Sequence, residues 1–480
     1  MEKFQNRKIA GMEKLQDEKL KNSGSIDRVP PWIFGISAIV FYLCSAYRHE
    51  AFASEAWDLG IFDQGIYLIS QGLPPISTLL GFHIMGDHAA LVFYPLAVLY
   101  RLIPTVHWLL GLQALAIAAG SYFTWRLATQ SGLTGRWATV LAIVYLLYPI
   151  AFNANRADFH PETFAIPGFL AAVLSARLQK PLGFALSLLL VLTCRDALAL
   201  NVAAMGLWLW WFEKRRNYGL ATLGIGIAWF LIATQVIVPQ ASAGLVSVDR
   251  YLTRYNDLGG SYGEVAKTLI LQPQILLGTL LTWKNLEYLL LLAAPIIWAI
   301  HPRHWSPLLA ALPTIAMNLL SNNDGQRSLT DQYSVPIFPF LILVAIAGFP
   351  TRMAWFRTRK VLVIWALIGF LALGKWGLFW IYAKHTDTWS AARTAIGLIQ
   401  DARPVLADSH LVPHVSHRVT IQRIEGNSPI EPYAHVLINA KRPWLNDRAG
   451  IAALLEKLQQ NPTFRKTFDR DGILLYQKFD

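Results

Sequence analysis

Apolar runs recur along most of the chain, at about the length where a helix either crosses a bilayer or must be buried. They fall at residues 31–47, 107–125, 137–153, 163–176, 182–194, 197–212, 219–238, 286–300, 305–320, 335–349 and 361–383. A backbone inside lipid must satisfy its own hydrogen bonds, so such runs fold as helices packed side by side. About eleven spans are expected, several shorter than the usual ~20 residues. With 54% hydrophobic residues, 15% charged and 18 tryptophans, the chain suits lipid better than water as its solvent. The fold class expected is mainly α, a polytopic membrane helix bundle.

The net charge of +12 would suit nucleic acid if it formed one patch. Instead Lys and Arg collect in short connections: residues 3–28, Arg126 with Arg136, Arg177 with Lys180, 214–216, Arg303 and 352–360. These alternate with less basic connections, as membrane topology requires. The expected partner is therefore the lipid bilayer, with no nucleic acid. The parity holds only if residues 89–103 do not cross, and Pro95, Arg101 and Pro104 suit a helix lying at the interface there. The outer side then receives 48–106, 155–162, the turn at Arg195, 239–285, 321–334 and everything after Ala383. Polar residues precede 31–47 without a cleavage site, which reads as a retained signal anchor. Cys44 and Cys194 both lie in apolar runs and form neither a disulfide framework nor a thiolate metal site.

Beyond Ala383 the charge rises. Strand-like runs at 405–407, 435–438 and 473–476 alternate with a helical run around 449–459, the pattern of a small α/β domain. Three regions are expected: a cytoplasmic tail (1–30), a transmembrane part (31–383) and an extracytoplasmic α/β domain (384–480).

Chemistry-bearing residues gather in the outer segments. Asp58 opens a helical-looking stretch that ends at Gly72; it could cap that helix, or serve as a general base at the membrane surface. Asp63, further round the same helix, faces away from it. Asp158, His160 and Glu162 alternate, so in an extended segment all three share a side and could orient a substrate or hold a divalent metal ion. A plain polar turn leading into a helix at Pro161 is the alternative. Arg195 and Asp196 sit between two short apolar runs, where an ionisable pair is costly unless it faces a polar cavity or closes its own salt bridge. His88 follows Asp87 just before the interfacial run. Arg250, Tyr251, Arg254 and Tyr255 repeat at helical spacing, suiting a phosphate and a sugar ring; solvated loop charge is the commoner explanation of such a pattern. Tyr333 could line the same cavity or anchor a span at the interface. His410, His414 and His417 are spaced as one helical face, either a metal face or surface histidines. Phosphate-loop, nucleophile-elbow and dinucleotide motifs are absent from the sequence.

In this order the residues resemble the type C glycosyltransferase superfamily, multi-spanning enzymes that take sugars from polyprenyl-phosphate carriers. The resemblance rests on Asp58 followed by a helix ending in Gly72, on His88 in the place of a basic residue, and on Asp158 and Arg195. Tyr333 with Pro336 and Pro339 completes it. The family's prolines after the basic residue are replaced by Ala89 and Ala90, and its common acidic pair by Asp58 and Leu59. The phrases AWDLGIFDQGIY, GDHAALVFYPL, DFHPETFAIP and LVPHVSHR are similar to a bacterial family of predicted membrane proteins. The superfamily resemblance implies a polyprenyl-phosphate-linked sugar donor, an acceptor of unknown identity and interfacial helices in the first outer loop, and the similarity to the bacterial family implies a bacterial inner membrane location. The superfamily resemblance also implies Asp58 as base and Arg195 with His88 on the phosphate. A transporter with Arg195, Asp196 and Asp158 along its path is the competing class, and a non-catalytic protein keeping the fold a third; polar groups on one side only favour the enzyme.

Overall fold

The computed structural model describes residues 31–245, 248–384, 386–425, 427–443 and 448–479. The expected cytoplasmic tail, residues 1–30, lies outside the described residues, as does the side chain of Arg250.

Helices occupy every apolar run. They include Pro31–Glu50, His107–Gln130, Ala165–Arg177, Pro181–Leu192, Leu198–Trp211, Leu308–Leu320, Phe338–Gly348 and Arg359–Leu373. Among the described residues, one helix is by itself long and apolar enough to cross a membrane, the 26-residue Arg216–Ala241. Two bent pairs reach that length together: Gly135–Leu146 with Pro149–Arg156 at 44°, and Pro273–Leu280 with Trp283–Ala299 at 56°. The first bend falls where Pro149 opens its helix, since the residue before a proline is pushed out of the helical region.

The bundle is inverted relative to a water-soluble one. Ile39, Leu43, Leu186, Leu189, Leu231, Ile364 and Ile368 are exposed on helix exteriors, while Gln113, Asn153, Asn155 and Asn201 are buried. Small residues bring helices together: a Cβ on Gly226 would lie 2.6 Å from the Ala203 amide nitrogen across the contact between Leu198–Trp211 and Arg216–Ile232.

The run at 89–103 forms Phe93–Leu102, ten residues and therefore about 15 Å, half of the hydrocarbon thickness of about 30 Å. It packs along Ile61–Ser70 through Phe62 and Phe93. That first-loop helix closes at Gly72, whose φ of 71° only glycine adopts readily. A short antiparallel hairpin follows, β1 (Ile76–Ser77) with β2 (Phe82–His83).

The C-terminal segment builds a five-stranded sheet in the order β4-β3-β5-β7-β6. β3 (Val405–Ala407) runs parallel to β4 (Ile421–Arg423) and β5 (His435–Asn439); β7 (Ile473–Lys478) is antiparallel to β5 and to β6 (Phe464–Arg470). Alternation splits its faces. Leu406, Val436, Ile438, Leu474 and Tyr476 pack on Ile451, Leu454 and Leu458 of the Arg448–Gln460 helix. Val405, Ala407, Leu437, Ile473 and Leu475 join the core that continues into the bundle through Ala391, Ala392 and Ala395 of Thr386–Gly397. The sheet is thus anchored on the helices by one complete face.

Candidate functional site

The site begins where the Pro31–Glu50 helix ends. Arg48, 7% exposed, ion-pairs with Asp158, and the other Asp158 oxygen accepts the Glu55 N–H at 2.8 Å. With a side chain 1% exposed, Asp158 ties the end of the Pro31–Glu50 helix to the segment at Glu55 and is enclosed by protein groups, where the sequence suggested a substrate contact.

Glu55 leads into the turn Ala56–Gly60, where the Gly60 N–H reaches back five residues to the Glu55 carbonyl at 3.1 Å. Asp58 lies in the first turn of this element, past the N-cap position, which Glu55 holds. The Asp58 carboxylate is 42% exposed and meets His160 Nε2 at 3.5 Å. His160 is itself buried, held by its Nδ1–H donating to the Asp158 carbonyl at 2.8 Å and by its backbone N–H donating to Gln113 Oε1 at 2.8 Å. Burial alone would lower the His160 pKa, but the Asp58 charge and hydrogen bond, with Glu162, overcome it and raise it to about 9. Conversely, burial works to raise the Asp58 carboxyl, yet His160, with Arg48, holds it below the usual range. The pair is therefore carboxylate and imidazolium at neutral pH.

Glu162, 3% exposed, ion-pairs with Arg195, and its Oε2 has no hydrogen-bond partner. Asp196 turns the other way, towards His88 Nδ1 at 3.7 Å, while His88 Nε2 lies 3.4 Å from Asp87. Arg195 and Asp196 thus point to separate partners instead of closing their own bridge.

Asp158, His160 and Glu162 do not share a side. The alternation needs an extended chain, but Pro161 starts a tight helical turn, Pro161–Phe164, and the three side chains diverge to Arg48, Asp58 and Arg195. Among the described residues, no three His, Cys, Asp or Glu side chains are grouped to hold a metal ion. The expected metal set is therefore not formed.

Glu162, Arg195 and Asp196 line one wall of a cavity of about 660 Å³. Arg254 and Tyr333 line it as well, with the guanidinium 5.4 Å from the ring centroid. Asn201 and Asn318 line it too, fixed by Thr314 donating to Asn201 at 2.7 Å and by Asn318 donating to Tyr288 at 2.8 Å. Much of the remaining wall is apolar, including Leu200, Phe230, Leu252, Leu258 and Leu320. Two guanidiniums on a largely apolar wall suit a phosphate carrying a hydrocarbon chain.

Sequence reasoning placed Asp58, His160, Glu162, Arg195, His88, Arg254 and Tyr333, which the structure brings into one connected region. It missed Arg48, Gln113, Asn201 and Asn318, although polar residues inside apolar runs signalled the last three. It also missed Glu55, which burial and neighbouring Asp158 push up to about 7, and Asp331, which burial and Asp58 raise against the pull of Arg156 and His160.

The histidines of the tail do not make a metal face. His414 belongs to a short turn, Val412–His414, and stacks on His49 at 4.1 Å; His417 pairs with Asp63 at 3.1 Å; His410 Nδ1 lies 3.1 Å from the Ser54 carbonyl.

No curated protein matches this chain. Among solved structures, the crystal structure of ArnT from Cupriavidus metallidurans bound to undecaprenyl phosphate is similar, with a TM-score of 0.54 at 10% identity, covering 94% of this chain and 98% of that one. The apo state of the same protein gives a TM-score of 0.51 at 10% identity, covering 92% and 96%. The fold is therefore shared with ArnT, as the resemblance to the type C superfamily implied. A family profile described as "Predicted membrane protein (DUF2079)" matches residues 48–475, and the chain belongs to that family.

Proposed function

We propose that this protein transfers a sugar from a polyprenyl-phosphate carrier to an acceptor hydroxyl at the outer face of a bacterial inner membrane. The observation that carries the reading is half-exposed Asp58 set against buried His160, two residues before the Glu162 that pairs with Arg195 on the cavity wall. The undecaprenyl phosphate of the ArnT structure supports the donor class.

In this reading Arg195 and Arg254 hold the carrier phosphate, with His88 adding positive charge near Asp196 when protonated. Tyr333 borders the sugar. The acceptor oxygen bonds to the anomeric carbon as that carbon's bond to the phosphate oxygen breaks, and the electron pair leaves with the phosphate. The acceptor proton passes to Asp58. Charge developing on the phosphate is stabilised by the two guanidiniums in a site of reduced dielectric. His160 keeps Asp58 ionised and ready to accept.

The test reconstitutes the protein with a panel of polyprenyl-phosphate sugars and compares it with Asp58→Asn. Loss of a general base is expected to slow transfer by about 10²–10⁴-fold with donor binding retained. If no donor is bound or turned over, and a solute instead crosses proteoliposomes with the same sensitivity to Asp58→Asn, the enzyme reading fails.

A further inference from the structure

We infer that residues 408–418 of the tail form a clasp that holds the turn carrying Asp58 in register with the cavity. Transfer then depends on side chains more than 350 positions away in sequence. The inference rests on the reading of Asp58 as the reacting carboxylate.

Asp58 needs outside support. Its polar contact with His160 is long, 3.5 Å, and its position follows the backbone of Ala56–Gly60. Such wide turns are rare and recur at functional sites, and this one opens the Ile61–Ser70 helix. The tail grips this turn at several points. The Ala56 N–H donates to Ser409 Oγ at 3.4 Å, His410 reaches the Ser54 carbonyl, and Val412 packs so closely on Gly60 that a Cβ there would lie 3.0 Å from its side chain.

The following helix, Ile61–Ser70, is gripped as firmly. Asp63 is 1% exposed and accepts from Tyr100 at 2.6 Å and from Ser416, and it pairs with His417 Nε2 at 3.1 Å. The His417 ring stacks on Tyr67 at 4.7 Å with 3° between planes. Gln64 donates to the Arg418 and Val419 carbonyls at 3.4 and 3.1 Å while its own oxygen accepts from Ser77 and Thr78. On the other flank, His414 stacks on His49, beside the Arg48 that holds Asp158.

An apolar sheet face would dock the tail without fixing its register. A buried carboxylate whose cation comes from the tail adds that register, because misalignment would leave a charge unpaired. Asp63, Ser409, Val412, Ser416 and His417 are therefore positioning residues for Asp58.

The test uses the full chain with Asp63→Asn, His417→Gln, Ser409→Ala and the double variant Asp63→Asn/His417→Gln, in which two amides can restore the hydrogen bond without a buried charge. Each single change is expected to lower kcat about tenfold or more, since displacement of about 1 Å can cost far more, with donor KM unchanged because Arg195 and Arg254 are untouched. Amide exchange across residues 54–60 rises in parallel, and the double variant recovers both. A rise in KM at constant kcat, or unaltered exchange at 54–60 in the singles, overturns the clasp. A wild-type protein with no transfer activity overturns the proposed function instead, and exchange at 54–60 then decides by itself whether the tail holds the turn.

Discussion

Replacing Asp158 by Asn separates a structural strut from a sugar ligand. The side chain is 1% exposed and engages both Arg48 and the Glu55 N–H. Asn matches its volume and still accepts the Glu55 N–H, but it cannot neutralise Arg48, itself only 7% exposed. Stranding a buried charge by removing its partner costs about 3–5 kcal/mol. At about 1 °C per kcal/mol for a chain of this size, the unfolding temperature is expected to fall by about 3–5 °C. Scanning fluorimetry of the purified protein in detergent measures it. The double variant Arg48→Met/Asp158→Leu removes both charges and is expected to recover most of the loss, since a well-packed apolar pair often replaces a buried ion pair at little cost. If Asp158→Asn unfolds within about 1 °C of wild type while donor binding disappears, the carboxylate is a ligand and the strut argument is wrong.

Three further outcomes are expected. His160→Gln removes the charge that holds Asp58 low, leaving burial to raise its carboxyl, so the acid limb of the transfer rate should move to higher pH; an unmoved limb would show that His160 does not set Asp58. Burial opposes both charges of the Asp63 and His417 pair, but their mutual attraction and hydrogen bonds lower Asp63 and raise His417. The Asp63 contribution is present above the ordinary 3.8 and lost as pH falls through its depressed value; that of His417 is present below the ordinary 6.5 and lost as pH rises through its raised value. Amide protection at 54–60 should therefore fall at both ends of the pH range, and a flat profile would count against the clasp. Gly226→Leu forces a side chain against the Ala203 backbone and should cost about 1–3 kcal/mol or more, read as a lower unfolding temperature; no shift would mean the helices separate freely.

The helices were legible because apolar runs broken by basic connections leave few alternatives, and residues 89–103 hold a helix of only ten residues, Phe93–Leu102. The sheet was half legible. β3, β5 and β7 are buried strands whose apolar residues stand out, whereas β6 reads FRKTFDR, an edge strand whose exposed charges hide its period, and β4 reads IQR, one apolar residue beside two polar ones. At the site, residue types were readable but their pairings were not. The alternation of Asp158, His160 and Glu162 assumed extended backbone, and the proline between the last two replaced it with a turn.

That turn changes what the acidic cluster is for. A shared face would have made one ligand set, competing with the sugar for the same carboxylates. Divergence gives each a separate duty: Asp158 fixes the end of the first helix through Arg48, His160 sets the charge of Asp58, and Glu162 joins Arg195 at the cavity. The unpartnered Oε2 of Glu162 fits this division: under the proposed function, a buried oxygen left without a donor beside a guanidinium is where a substrate hydroxyl would bond. Glu162→Gln should then weaken donor binding more than it slows turnover, and the opposite split would return Glu162 to a purely structural partner of Arg195.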